Sequence, residues 1–244
     1  MISILFLYRN KLVASGIFFA IAISAKLSMI VVLPFLILYL FKNKPLRHLI
    51  LNFLLGLSIT IVILGIPFIL STSAMEMLVG NPEMSKILSL SVTLTKDISV
   101  LILPIVFSII LYYIWRVRRL NFDLFMAING VTFLIIIVLM PSSSGWFIWA
   151  IPFLIFYQAT SGRTAVIIVG VFSILFVLEI LYSEIFYLYS NITLNIGSYL
   201  NDIGSMNNLV DIINTGIFII GIILIVRLSR ESISGNDFFR KTRQ

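Results

Sequence analysis

Cysteine is absent from this sequence, histidine occurs once, at His48, and charged residues make up 11% of it. The first absence excludes disulfides, thiolate nucleophiles and cysteine-ligated metals, and it leaves the redox compartment unreadable. The second excludes histidine-rich metal sites and most histidine-based triads. The scarcity of charge says most, because soluble domains carry about a quarter charged residues. Also missing are a nucleotide-binding glycine loop, a Gly-x-x-x-Gly helix-packing motif, metal-ligand spacing, an internal repeat and a linker that would mark a second domain.

What is present is apolar. The chain is 60% hydrophobic with a mean hydropathy of +1.14, the composition of an integral membrane protein whose constant partner is the lipid bilayer. A net charge of +7 would also suit nucleic acid. Here, however, the cations cluster at the ends of apolar runs, as topology signals do, and no nucleic-acid partner is expected.

Those clusters order the chain. Arg9 and Lys11 precede one apolar run, and Lys42 and Lys44 follow the next, with Lys26 alone between them. Lysine and arginine concentrate in cytoplasmic loops, so residues 9–44 read as a short hairpin whose outer ends are cytoplasmic and whose turn, at Lys26, faces the other side. Each arm of about 14 residues reaches roughly 21 Å against a hydrocarbon thickness of ~30 Å. The turn is therefore expected in a local depression. Met1 to Tyr8 are apolar, too short to span and without a signal peptide's basic region, and they read as the stub of a cut helix.

Further on, Leu49 to Leu70 form an outward span with Gly65 and Pro67 as a kink point, and residues 71–97 form an outer loop. Within that loop Leu88, Leu90, Val92 and Leu94 alternate with Ser89, Ser91, Thr93 and Thr95, a period of two that predicts an extended segment. Ile98 to Trp115 return to Arg116, Arg118 and Arg119. Phe122 to Met140 go out, Trp146 to Tyr157 come back to a turn with Arg163, and Thr164 to Tyr182 go out again. In the second outer loop, 183–210, the residues Ile196, Tyr199, Leu200, Ile203 and Met206 have the spacing of a helix lying on the interface. Asp211 to Val226 cross inwards, and 227–244 form a basic cytoplasmic tail.

The expectation is an all-α, polytopic membrane helical bundle. Residues 1–226 make one transmembrane domain of about eight segments with both termini cytoplasmic, in a plasma or endoplasmic-reticulum-type membrane. Of 17 lysines and arginines only Lys26, Lys86 and Lys96 fall outside in this arrangement.

Lys26 invites a chemical reading, because an ionisable residue within a membrane segment is costly and marks function by default. The plain alternative is a lysine that snorkels from a helix end. The surrounding pattern, Gly16 after the small residues Ala14 and Ser15, an apolar stretch, Ala25-Lys26-Leu27-Ser28, then Leu33-Pro34, resembles a membrane segment of the GT-C superfamily. Those multispanning glycosyltransferases use polyprenyl-phosphate-linked sugars, and the alpha-mannosyltransferases are among them. The resemblance implies that Lys26 holds the donor phosphate.

Pro141-Ser-Ser-Ser-Gly145-Trp146-Phe-Ile-Trp149-Ala-Ile-Pro152 resembles the Ser-Pro, aromatic, Trp and Leu/Ile-Pro pattern near the end of mannosyltransferase-like members. Serine and glycine stand where the family often has proline and a polar residue. Trp146 and Trp149 suit an interface, where they anchor the bilayer edge or stack on a sugar or isoprenoid.

Glycosyl transfer needs a carboxylate base, and acidic residues that hold a divalent cation often accompany it, which makes a divalent cation the implied cofactor. Glu76, Glu83, Asp97, Glu184, Asp202 and Asp211 are the outer carboxylates, with Asp97 and Glu83 nearest a plausible site and no Asp-x-Asp pair. In the family the catalytic acid lies in the first outer loop, upstream of the resembling region. These residues therefore do not inherit its role, and the catalytic residue stays unassigned. The chain thus reads as the carboxy-terminal part of such an enzyme, with an amino-terminal half or a partner membrane subunit elsewhere. Its reaction would move a sugar such as mannose to an acceptor on the outer or lumenal face. A transporter or flippase-like subunit for an anionic lipid or solute is the alternative, and a non-catalytic partner of another membrane enzyme a third. Asn191-Ile-Thr193 is a glycosylation sequon on the outer side.

Overall fold

The computed structural model describes residues 1–73, 76, 90–95, 98–117, 120–139, 144–192 and 203–234. Helix dominates, as expected. Its elements are α1 (Ile2–Tyr8), α2 (Leu12–Ala25), a 3-10 turn (Leu27–Val32), α3 (Leu33–Lys42), α4 (Lys44–Arg47) and α5 (Ile50–Leu70). After β1 (Ser91–Thr95) and β2 (Ile98–Leu101) come α6 (Ile102–Arg116), α7 (Phe122–Leu139), α8 (Ser144–Thr160), α9 (Arg163–Ile192) and α10 (Ile203–Ser234).

Among the described residues four stretches are long and apolar enough to cross a membrane: Ile50–Phe68, Phe122–Leu139, Arg163–Leu181 and Asp211–Glu231. Four shorter apolar helices, Leu12–Ala25, Leu27–Lys42, Ile102–Arg116 and Trp146–Thr160, occupy the places of the remaining expected segments. Large apolar side chains such as Leu51, Val62, Ile167 and Ile174 point outward, a surface that hydrocarbon accommodates and water does not. Two compact units divide the chain, one within Met1–Asn129 and one within Gly130–Gly235.

In the first unit, α1 and α2 meet at a tight turn in which Asn10 adopts a φ of 58°, a conformation asparagine tolerates better than most residues. A serine clasp joins them. Ser3 Oγ donates to the Ser15 carbonyl at 2.8 Å, Ser15 Oγ donates to the Ser3 carbonyl at 2.9 Å, and both residues are buried. Residues 1–8 are thus a folded element packed on α2.

α2 in turn lies on α5 with the two backbones in direct approach. A Cβ on Gly16 would collide with the Phe53 carbonyl oxygen and stand 2.8 Å from the Leu57 nitrogen. A Cβ on Gly56 would likewise collide with the Val13 carbonyl oxygen and stand 3.3 Å from the Ile17 nitrogen. Small residues that let helices touch are the usual basis of association where no hydrophobic driving force exists between helices. Here one glycine on each of two distant segments does what a single Gly-x-x-x-Gly does elsewhere.

α3 packs against α6, where Phe35 meets Phe107 edge-on at 5.3 Å. The extended segment expected around 88–95 appears as β1, paired antiparallel with β2 in the register Val92↔Val100 and Thr93↔Ser99. The Ile102 amide donates to the Leu90 carbonyl at 3.1 Å, so the ribbon passes straight into α6. Pairing satisfies the backbone groups that a lone strand would leave open.

In the second unit, Phe147 of α8 stacks on Phe176 of α9 at 4.4 Å, and Phe153 of α8 on Phe133 of α7 at 5.7 Å. On α10, Gly221 lies against Val138 and within 3.4 Å of Phe172 Cε2, as judged from its Cβ position. α9 and α10 run for 30 and 32 residues, roughly 45 Å or more at the helical rise. Residues 183–192 and 203–210, expected as outer loop, continue these helices. A helix needs no partner for its backbone, and it can therefore extend past a ~30 Å hydrocarbon core into the interface.

Candidate functional site

Lys26 stands where α2 stops. Its backbone is extended (φ −152°, ψ 114°) between the last turn of α2 and the 3-10 turn that leads to α3. Its amide still donates to the Ala22 carbonyl at 3.0 Å, and its own carbonyl accepts from the Met29 amide at 3.0 Å. The break thus leaves both local backbone groups satisfied while it swings the side chain out of helical register. The lysine is half-buried. Two residues on, Ser28 Oγ is shielded from solvent without a hydrogen-bond partner. Pro34 falls in the first turn of α3, where its missing N–H costs no helix hydrogen bond and its fixed φ suits the start of the helix.

Trp146 and Trp149 belong to the other unit, in the first turns of α8. Trp146 is only 5% exposed, so protein covers its ring. Trp149 is half-buried. The spacing of residues 146 and 149 could not reveal this difference, because it depends on which face of α8 meets α9. Glu76 and Asp211 are exposed, and Glu184 falls in the last turns of α9. Glu83, Lys86, Lys96, Asp97, Asp202 and residues 141–143 lie outside the described residues. Among the described residues no three acidic or histidine side chains gather into a cation site.

Two groups escaped sequence reasoning. Glu179 is a half-buried carboxylate inside the apolar stretch Arg163–Leu181, one turn beyond Phe176 on α9. A single acid within a long apolar run was its visible signal. Asn129, on α7, is fully buried; its Nδ2 donates to the Phe125 carbonyl at 2.7 Å, while its Oδ1 is left without a partner.

The basic flanks of the first unit come together. Lys42 Nζ donates to the Trp115 carbonyl at 2.6 Å and to the Val117 carbonyl, which completes carbonyls that α6 leaves open at its end. Asn43 Nδ2 donates to the Leu120 carbonyl at 2.9 Å. Asn121 Oδ1 accepts from the Leu124 amide at 2.9 Å and so caps α7. The rings of Tyr8 and Tyr39 lie 5.1 and 6.3 Å from that of Phe122. The ends of α1, α3 and α6 and the start of α7 therefore share one end of the unit, as the clusters of lysine and arginine predict.

In the second unit, Ser161 Oγ donates to Glu231 Oε2 at 2.8 Å. That bond ties the end of α8 to the end of α10.

Comparison with protein-family models, curated proteins and solved structures gives no match.

Proposed function

We propose that the chain is part of a membrane glycosyltransferase that moves a sugar from a polyprenyl-phosphate donor to an acceptor on the outer or lumenal face, with Lys26 on the donor phosphate. The observation that carries this reading is the break at Lys26, a cation set in extended backbone between two apolar helical arms. Irregular backbone at membrane depth is tolerated where it lines a protein-enclosed or wet cavity. In such surroundings an ammonium–phosphate pair is stronger than in water.

Transfer requires that the acceptor hydroxyl lose its proton as its oxygen bonds the sugar and the lipid phosphate departs. The carboxylate that takes this proton stays unassigned among the described residues. Trp149, less covered than Trp146, is the better ring for contact with sugar or isoprenoid.

The break also supports a second reading, a transporter or flippase-like subunit for an anionic lipid, because discontinuous helices form the substrate sites of many transporters. One experiment separates the two. Membranes containing the protein are given a radiolabelled polyprenyl-phosphate sugar, and both the fate of the sugar and the side of the bilayer on which the lipid sits are followed. Release of sugar onto an acceptor supports the transferase. Movement of intact donor between leaflets supports the transporter. If neither changes relative to membranes lacking the protein, both readings fall.

A further inference from the structure

The end of the first unit where α3 meets α6 carries more than a structural lock. Phe41 stacks on Trp115 with their planes 15° apart and ring centroids at 6.4 Å. Arg47 lies over the Phe41 ring at 4.3 Å and Lys42 over the Trp115 ring at 5.8 Å. Two aromatic rings are thus interleaved with two cations. Lys42 is engaged with backbone carbonyls. Lys44, Arg47 and Arg116 are exposed, and Trp115 remains 59% exposed. From Leu27 to Phe122 the acids are Glu76, Glu83 and Asp97, none of them in the segments that build this ledge, and Asp123 follows at the start of α7.

The same helix, α6, carries a shallow open groove of about 380 Å³ lined by Pro104, Ile105, Ser108, Ile109 and Tyr112. Positions 105, 109, 112 and 116 follow the i, i+4, i+7, i+11 spacing of one helix face, so Arg116 lies on the groove's side of α6, one turn beyond Tyr112. From Pro104 to Arg116 the helix rises roughly 18 Å, close to the depth of one leaflet, half of ~30 Å. An apolar helix face about one leaflet long, with a groove along it and an exposed guanidinium group at its end, matches an amphiphile with an anionic head. Arginine forks pair with phosphate oxygens, and interfacial aromatics sit at headgroup level. Basic pockets beside membrane helices bind anionic headgroups by the same forces.

We propose that this face of α6, with Arg47, Lys44 and Arg116, is a binding site selective for an anionic phospholipid of the leaflet that meets the basic ends. An acyl chain lies along Ile105, Ile109 and Tyr112, and the headgroup phosphate sits on the two arginines. The site is separate from Lys26 and does not depend on the transferase reading.

The full chain is purified in detergent and exchanged into nanodiscs holding equal amounts of phosphatidylglycerol and phosphatidylcholine with identical acyl chains. Lipid retained after mild delipidation is then counted by native mass spectrometry. Wild-type protein should retain the anionic lipid at least about 3-fold over the zwitterionic one. R47Q/R116Q should bring the ratio to about one, whereas R163Q/R230Q, in the other unit, should leave it unchanged. S108W, which fills the groove, should reduce retention of both lipids, with circular dichroism checking that the helices are intact. Equal retention by the wild type, or an undiminished ratio in R47Q/R116Q, overturns the proposal. So does displacement by millimolar glycerol phosphate without any effect of S108W, which would mark a site for free phosphate rather than for a lipid.

Discussion

Lys26 is where charge and backbone geometry coincide. If its ammonium holds a donor phosphate, K26Q removes a charge-assisted hydrogen bond worth about 1.5–3 kcal/mol, or roughly tenfold or more in affinity. Binding of a fluorescent polyprenyl-phosphate sugar to the protein in nanodiscs should weaken accordingly, and K26R should recover most of it. A snorkelling lysine predicts unchanged affinity for K26Q, and that result would remove the assignment. Ser3 and Ser15 offer a second test at this scale. Each donates to the other's carbonyl, so S3A and S15A should be coupled. Interhelical hydrogen bonds in membranes average about 0.6 kcal/mol, and a double-mutant cycle on unfolding in mixed micelles should return a coupling of that order. Additive effects would mean that the clasp contributes nothing to stability.

At the scale of elements, the contact between α2 and α5 is the most exposed to mutation, since its partners are backbone atoms that cannot rotate away. G16L and G56L should each cost at least the roughly 1–3 kcal/mol of ordinary overpacking, seen as a marked fall in melting temperature in detergent. Gly170 provides the control. It has nothing within 4 Å of its Cβ position, so G170A should be neutral or stabilising, in line with the ~1 kcal/mol by which alanine exceeds glycine in helices. Equal melting temperatures for G16L and G170A would contradict the close approach. The cap on α7 is smaller in effect: N121A should cost about 1 kcal/mol, measured in the same way.

For the whole molecule, the testable property is sidedness. The distribution of lysine and arginine predicts Ser71 and Ser143 on the outer side and Arg118 in the cytoplasm. The absence of cysteine makes single-cysteine labelling a clean measurement. S71C and S143C in intact cells should react with an impermeant maleimide, and R118C should react only after permeabilisation. Labelling of S143C and R118C from the same side would defeat the arrangement of eight crossings.

The sequence by itself determined the membrane class, the places of the apolar helices and the clustering of basic residues at their ends. Hydrocarbon imposes these through composition and length, and both can be read along one dimension. The break at Lys26 was legible for the same reason, a lone charge between two short arms, and the period-two alternation disclosed the strand at β1. Only the tertiary structure decided which faces meet. It paired β1 with β2, brought Gly16 onto Phe53 and Leu57, set Lys42 and Asn43 on the carbonyls of Trp115, Val117 and Leu120, and covered Trp146 while leaving Trp149 more open. Apolar helices have nearly uniform faces, so periodicity cannot name their partners. Shape at single glycines and a few buried hydrogen bonds does, and those depend on residues far apart in the chain.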